Sequence, residues 1–363
     1  MKKLLVLLTI ICLCILSPGT QDVFGQESPY PQKFSPGTYA VMQHPTTGAV
    51  RLVDIFAATS PAQAQAEHQV PVAVMPGVLH ATGFAGLAYD TRHKQLLLVG
   101  RSAKGVVLWR REISQKDPEQ IGDISIPPGH LLTKMAASPD GEIYALTTPV
   151  RGASGNPPQR CRLVKIIPGT PGQKASIRTV AELSGQAGFH AALMYSGDMA
   201  FSAAGDLYIF GSAIDTTIRY YTGSAVFRIP AVSLRTGSRG AIRVERLGPI
   251  QGMGTVPGYD STVISGAAFL PDGRFLLSTM DKATQQHVSL FVGRFSAGRI
   301  SVEPLPIGYE ALPPGFLITD LASRHFPVLP PIRTAQHMPV VRQEPVTQPE
   351  DWQQYVTIRT YQY

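Results

Sequence analysis

The sequence predicts an all-β fold built from a repeated four-stranded unit, and three observations carry that prediction. A short phrase recurs: Met135-Ala136-Ala137-Ser138-Pro139-Asp140-Gly141-Glu142-Ile143-Tyr144, then Met199-Ala200-Phe201-Ser202-Ala203-Ala204-Gly205-Asp206-Leu207-Tyr208, then Ala267-Ala268-Phe269-Leu270-Pro271-Asp272-Gly273-Arg274-Phe275-Leu276. Two further strand-like runs follow each copy. The composition is turn-rich and weakly charged, with 34 Gly, 31 Pro and only 16% charged residues, and no sustained helical period follows the first 25 residues.

Each copy reads as a strand of small apolar residues, a tight turn and a returning strand of Ile, Leu, Tyr and Phe. Gly in the turn supplies the positive backbone torsion that such a hairpin needs. A looser copy, Leu87-Ala88-Tyr89-Asp90 running into Leu96-Leu97-Leu98-Val99, precedes them, and a truncated one, Asp320-Leu321-Ala322-Ser323, follows. The added runs are 106–109 and 121–126, 163–167 and 177–183, 224–229 and 242–247, and 288–295 and 300–305. A lone hairpin is marginal in water, so the units must stack. Four strands per unit is the blade of a β-propeller.

The anchors Leu87, Met135, Met199, Ala267 and Leu321 lie 48, 64, 68 and 54 residues apart. Compact blades repeat every 40 to 50 residues or so, so the excess falls in loops. The last anchor has too little strand sequence behind it, because Phe326-Pro327-Val328-Leu329-Pro330-Pro331 is broken by prolines. Its missing strands are expected from the other end, where Tyr39 to Met42, a Thr46-Thr47-Gly48 turn and Val50 to Val53 read as an outer hairpin. The reading is five blades closed by the two termini, or six if the stretch from Val70 to Val78 holds another strand pair.

Before the propeller, Lys2-Lys3, an apolar run from Leu4 to Leu16 and the small residues up to Gly25 describe a secretory signal peptide. The run is too short to span a bilayer as a helix. Cys12 and Cys14 lie inside it without the small residue that a lipoprotein signal places before its cysteine, so a free exported protein, periplasmic or secreted, is expected. The chain divides into a signal peptide over 1–25, the propeller over 36–330 and a Pro/Gln-rich tail over 331–363 whose last residues, Tyr355 to Tyr361, are strand-like again. Cleavage after Gly25 leaves Cys161 alone, which excludes an intramolecular disulfide, and lowers the formal charge from +7 to +6. These charges are scattered. The densest group, Arg235, Arg239, Arg243 and Arg246, brackets a Thr-Gly-Ser turn without interleaved aromatics and reads as a solvated hairpin rim, so no nucleic-acid partner is expected.

The blade phrase, together with Asp320-Leu321-Ala322-Ser323 and Phe326-Pro327, resembles exported bacterial β-propellers of the NHL and gluconolactonase-like repeat class over most of residues 36–330. The resemblance implies the propeller fold, but its signature fixes strands and turns and holds no catalytic group. The lactonase-like members imply a divalent cation at the channel mouth, held by carboxylate and Asn oxygens. This chain has one asparagine, Asn156, so that ligand set cannot be rebuilt. Asp140, Asp206 and Asp272 each belong to a hairpin turn where Asp serves local hydrogen bonds.

Other candidates come from position in the repeat. Three connections leading into inner strands hold a histidine, His80, His130 and His190, and a fourth holds Asp260. Convergence of three imidazoles and a carboxylate would suit zinc or copper, or supply a general base; scattered loop histidines are the plainer reading. Lys134, Asp198 and Asp320 immediately precede inner-strand anchors and should approach the central channel, where buried charges need partners; they are candidate ligand-binding residues, with structural plugging of the channel a simpler role than acid–base machinery. Tyr220 and Tyr221, in a long insertion over 211–223, are the candidate contact patch. Trp109 and Cys161 read as core.

No Gly-x-Ser-x-Gly, Cys-x-x-Cys, His-Glu-x-x-His or phosphate-binding loop occurs. The expected function is therefore a monomeric binding or interaction module without a cofactor, whose protein or carbohydrate ligand meets the loops before the inner strands and the insertions at 150–160 and 211–223. The alternatives are an exported metal-dependent hydrolase or lactonase-like enzyme using the histidine mouth, and a structural envelope component attached through its tail.

Overall fold

The recurring phrases fold as the hairpins that their turn chemistry demands. Gly141, Gly205 and Gly273 have φ of +73°, +83° and +88°, and each donates its N–H to the carbonyl three residues back, on Ser138, Ser202 and Leu270, at 2.9, 3.0 and 3.2 Å. The structure, a computed structural model, describes residues 34–44, 46–47, 50–56, 84–102, 105–113, 118–149, 161–169, 174–184, 197–215, 220–236, 240–253, 262–281, 287–296, 299–305 and 315–330. Val70 to Val78, the signal segment and the tail beyond Pro330 lie outside them. The described chain is nearly all β.

Numbered along the chain, β1 (Thr38–Gln43) and β2 (Val50–Asp54) form a hairpin. A first four-stranded meander holds β3 (Phe84–Asp90), β4 (Gln95–Ser102), β5 (Gly105–Glu112) and β6 (Glu119–Ile124). The second holds β7 (His130–Ala137), β8 (Ile143–Pro149), β9 (Arg162–Ile167) and β10 (Ser176–Ser184). The third begins with β11 (Asp198–Phe201), β12 (Leu207–Asp215) and β13 (Tyr220–Ile229), then passes through a short helix, α1 (Ala231–Arg235), before β14 (Ala241–Arg243) and β15 (Glu245–Gln251). The fourth holds β16 (Thr262–Phe269), β17 (Phe275–Asp281), β18 (His287–Ser296) and β19 (Arg299–Pro304), and β20 (Leu317–Ser323) ends the series. β1 pairs with β20 antiparallel from Thr38↔Ser323 to Gln43↔Leu317.

The first strand of each sheet lies beside the next: β3 by β7, β7 by β11, β11 by β16, β16 by β20, and β20 by β3. Five apolar clusters fill the spaces between consecutive sheets. Within β4, Leu97 and Val99 join the cluster shared with the second sheet, while Leu96 and Leu98 join the cluster shared with β1 and β2. Burial on both faces explains why the strand reads as an unbroken apolar run instead of alternating. The arrangement is propeller-like.

Parallel pairings stitch the sheets together at their outer edges. β10 pairs with β14 from Glu182↔Ala241 to Ser184↔Arg243, and β15 pairs with β19 at Ile250↔Ile300 and Gln251↔Ser301, which merges the third and fourth meanders into one eight-stranded sheet. An isolated parallel bridge, Ile124↔Ala175, links the first to the second.

Two local expectations change. The run from Ile242 to Leu247 is two strands, because Val244 donates its N–H to Ser184 O at 2.7 Å and the chain then turns to pair β15 with β13. The rim around Arg235 is helical: Pro230 enters at φ −61°, and the Asp206 carboxylate accepts the Ala231 N–H at 2.8 Å. Asp206 thus serves a segment beyond its own turn. Among the described residues no helix is long and apolar enough to cross a membrane.

Candidate functional site

One position recurs where the first strands meet. A register shift interrupts four of them: β3 between Phe84 and Gly86, β7 between Leu132 and Lys134, β16 between Ile264 and Gly266, and β20 opposite Val41 and Met42. The extra residues are Ala85, Thr133, Ser265 and Thr319. A bulge re-aims the residue beside it, and the three hydroxyls among the extra residues bond to the strand behind: Thr133 to Leu146 O at 3.4 Å, Ser265 to Ser278 Oγ at 2.9 Å, and Thr319 to Val41 O at 3.3 Å. Each bulge is followed by the residue directly before an anchor. Around the hub that position reads Gly86, Lys134, Asp198, Gly266, Asp320.

The two aspartates reach across to neighbouring strands. Asp198 Oδ2 accepts the N–H of Ala267 at 2.6 Å and, more weakly, that of Leu321 at 3.4 Å, while Oδ1 accepts its own neighbour Met199 at 2.7 Å. Asp320 Oδ2 accepts the N–H of Leu87 at 2.7 Å, and Oδ1 accepts Leu321 at 2.7 Å. Both distant donors directly follow a hub glycine. A Cβ on Gly266 would sit 2.8 Å from Leu321 Cγ and 3.0 Å from Leu321 N, and one on Gly86 would sit 2.5 Å from Met135 Cβ. Glycine is therefore what lets the following first strand pack closely on that side, β7 against Gly86 and β20 against Gly266. Sequence reasoning found the charged members of this set and missed the two glycines, although both precede an anchor as the others do.

Lys134, Asp198 and Asp320 are together and almost wholly buried, at 1%, 1% and 4% exposure. Burial, followed by the adjacent Asp198 charge and their mutual hydrogen bond, pushes the Asp320 carboxyl well above the usual carboxylate range. Burial raises Asp198 to about 6, opposed by the hydrogen bond from Asp320 and by the main-chain donors. Asp320 thus keeps the shared proton, and Asp198 carries the charge that faces Lys134. Burial lowers the ammonium of Lys134 to about 8, with Asp198, Cys161 and Asp320 opposing. One cation balances one proton-sharing carboxylate pair. Cys161 is buried in the cluster between the second and third sheets, and its thiol is pushed up to about 11 by burial, which suits a packed and unreactive group.

One end of the hub is covered by the chain that leaves β20. The cavity there is only 20 Å³, with His325 and Phe326 in its lining, about the space of one water. Phe326 packs on the cluster between the second and third sheets, Pro327 O accepts the Ala203 N–H at 2.9 Å, and Leu329 packs on the next cluster.

The other sequence candidates fare differently. His130 is the first residue of β7, paired with Pro149 instead of lying in a loop. It is 7% exposed, neither ring nitrogen has a side-chain hydrogen-bond partner among the described residues, and burial and then Arg162 depress its basicity. His80, His190 and Asp260, and the 150–160 insertion, lie outside the described residues. Tyr220 and Tyr221 belong to β13, with Asp215↔Tyr220 and Ile214↔Tyr221 pairing, so the backbone of the insertion is a lengthened hairpin at this point.

No protein-family model matches the chain, and no curated protein matches it. Solved structures do. An engineered GH43 glycoside hydrolase with endo-xylanase and exo-arabinofuranosidase activity is similar at 12% identity over 76% of this chain and 57% of that one, with a TM-score of 0.44. An endo-arabinase from Bacteroides thetaiotaomicron is similar at 10% identity over 64% and 84%, with a TM-score of 0.41. A gluconolactonase from Xanthomonas campestris is similar at 13% identity over 63% and 65%, with a TM-score of 0.31. At these values none of them assigns an activity to this chain.

Proposed function

We propose that this chain is an exported five-bladed β-propeller, closed by its two ends, that works as a binding module. The neighbouring first strands, the five inter-sheet clusters and the β1–β20 pairing support the closed five-bladed reading, and the Lys2 to Gly25 segment supports export. One observation carries the functional part: the carboxylates of Asp198 and Asp320 are already occupied by main-chain N–H groups of neighbouring strands. The hub charges hold the first strands together, which leaves recognition of a protein or carbohydrate ligand to the outer surfaces. The test is a glycan array with product analysis on every ligand retained. Retention without turnover is expected; turnover abolished by Asp198→Asn would overturn the reading.

A metal-dependent hydrolase using His80, His130, His190 and Asp260 has one observation in its favour, the buried His130 ring, whose nitrogens have no side-chain hydrogen-bond partner among the described residues. Elemental analysis of the mature protein beside a His80/His130/His190 triple-alanine variant tests it. Stoichiometric metal lost in the variant would establish that site.

A further inference from the structure

We propose that the groove between the second and third sheets binds a carboxylated saccharide, a uronic acid unit. This deepens the binding-module reading and rests on it. The groove has a volume of 530 Å³, within the range of about 300–1,000 Å³ that small-ligand sites occupy. Tyr144 and Phe201, whose rings are 5.3 Å apart, join its lining.

Its charges are unequally matched. Glu142 is engaged by Lys165 Nζ at 2.6 Å and by the Tyr144 hydroxyl at 2.9 Å, and its own N–H is held by Ser138 Oγ at 3.1 Å. Lys165 and Glu142 therefore cancel. The Lys165 hydrogen bond chiefly holds the Glu142 carboxyl low, with Arg178 on β10 near enough to add a smaller share, and Arg235, in the last turn of α1, lies over Gly205, with Nη2 3.7 Å from where a Cβ would stand. Both arginines are exposed, and among the described residues neither has a carboxylate within ion-pair distance.

Two guanidinium forks in one groove, offered from different sheets, suit a carboxylate, which accepts two parallel N–H bonds from such a fork. The groove also holds acceptors, in Asp140 and the hydroxyls of Ser138 and Thr179. A bare anion would leave Asp140 and the hydroxyls without donors to accept from. A neutral sugar would leave both arginines unanswered. A ligand with one carboxylate and several hydroxyl donors satisfies both halves, and a sugar acid is that ligand.

Isothermal titration of the mature protein with glucuronate, galacturonate and digalacturonate, beside the neutral galactose disaccharide and inorganic phosphate, tests the assignment. At least one uronate is expected to bind, with affinity reduced about tenfold or more by either Arg178→Ala or Arg235→Ala, as loss of a charged hydrogen bond implies, while the melting temperature stays unchanged. Absence of uronate binding, equal binding of the neutral disaccharide or of phosphate, or uronate binding that survives the double variant would each overturn it. Uronate-bearing array ligands still retained by the Arg178→Ala/Arg235→Ala protein would end this proposal and leave the binding module standing, whereas turnover at the hub would end that reading without altering the titration.

Discussion

The Asp320 carboxylate accepts the N–H of Leu87 from 233 residues away, at 2.7 Å. It joins β3 to β20, two neighbouring first strands that share no ladder among the described residues. Asp198 does the same for Ala267. The hub is thus a pair of carboxylate bridges with a lysine beside them.

Removing a bridge should cost more than removing its charge. Asp320→Ala strands the N–H of Leu87 in a dry interior, at about 1–3 kcal/mol, and leaves the N–H of Leu321 only its 3.4 Å contact with Asp198. Asp320→Asn keeps the shape and, because Asp320 holds the shared proton, is expected to cost clearly less. At Asp198, Asn removes the ionised member of the pair, and Asp320 must give up its proton inside the hub to answer Lys134, so a larger loss than for Asp320→Asn is expected. Urea unfolding of the three variants gives the ranking; Asp320→Asn as damaging as Asp198→Asn would contradict the proton assignment.

The same groups set a pH profile. Asp198 titrates near 6 in the folded protein against 3.8 for the free group, so the folded state holds more protons in that window and stability falls as pH rises from about 4 to 6. Lys134 titrates near 8 against 10.5, so the unfolded state holds more protons there and stability rises between pH 8 and 10. His130 and His325, both held below 6.5 by burial, act oppositely to Asp198 in acid. The hub contribution is therefore read as wild type minus Asp198→Asn. A flat difference between pH 4 and 6 would refute it.

Gly86→Ala and Gly266→Ala place a methyl against the neighbouring strand, 2.5 Å from Met135 Cβ and 2.8 Å from Leu321 Cγ. Overpacking of this kind costs about 1–3 kcal/mol. Gly240→Ala, with nothing within 4 Å, is the neutral control. Thermal melts of the three proteins compare them directly.

His130→Leu removes a buried ring whose nitrogens have no side-chain hydrogen-bond partner among the described residues. Replacement of an unpartnered polar group by an apolar one of similar size is expected to leave stability unchanged or raise it by about 1 kcal/mol. A large loss, accompanied by loss of bound metal, would favour the hydrolase reading.

The repeat was legible because its turns demand Gly at fixed places and its strands are apolar on both faces. Lys134, Asp198 and Asp320 were legible because they precede anchors, where a charge is conspicuous; Gly86 and Gly266 share the position but offer no chemistry to notice. The split of β14 from β15 was hidden, since Val244 continues the apolar alternation and only its bond to Ser184 turns the chain aside. Helix α1 is five residues long, shorter than any periodic signal. Arg235 was visible only as part of a rim, because its counterpart Arg178 stands on another sheet.

The β1–β20 pairing sets an order of events during synthesis. The four meanders are each made of neighbouring segments and can assemble as they emerge, but Val41 must wait for Thr319, 278 residues later. At about 5–20 residues per second of elongation, the hairpin of β1 and β2 spends tens of seconds with an open edge, through which nascent copies on one message can join to each other.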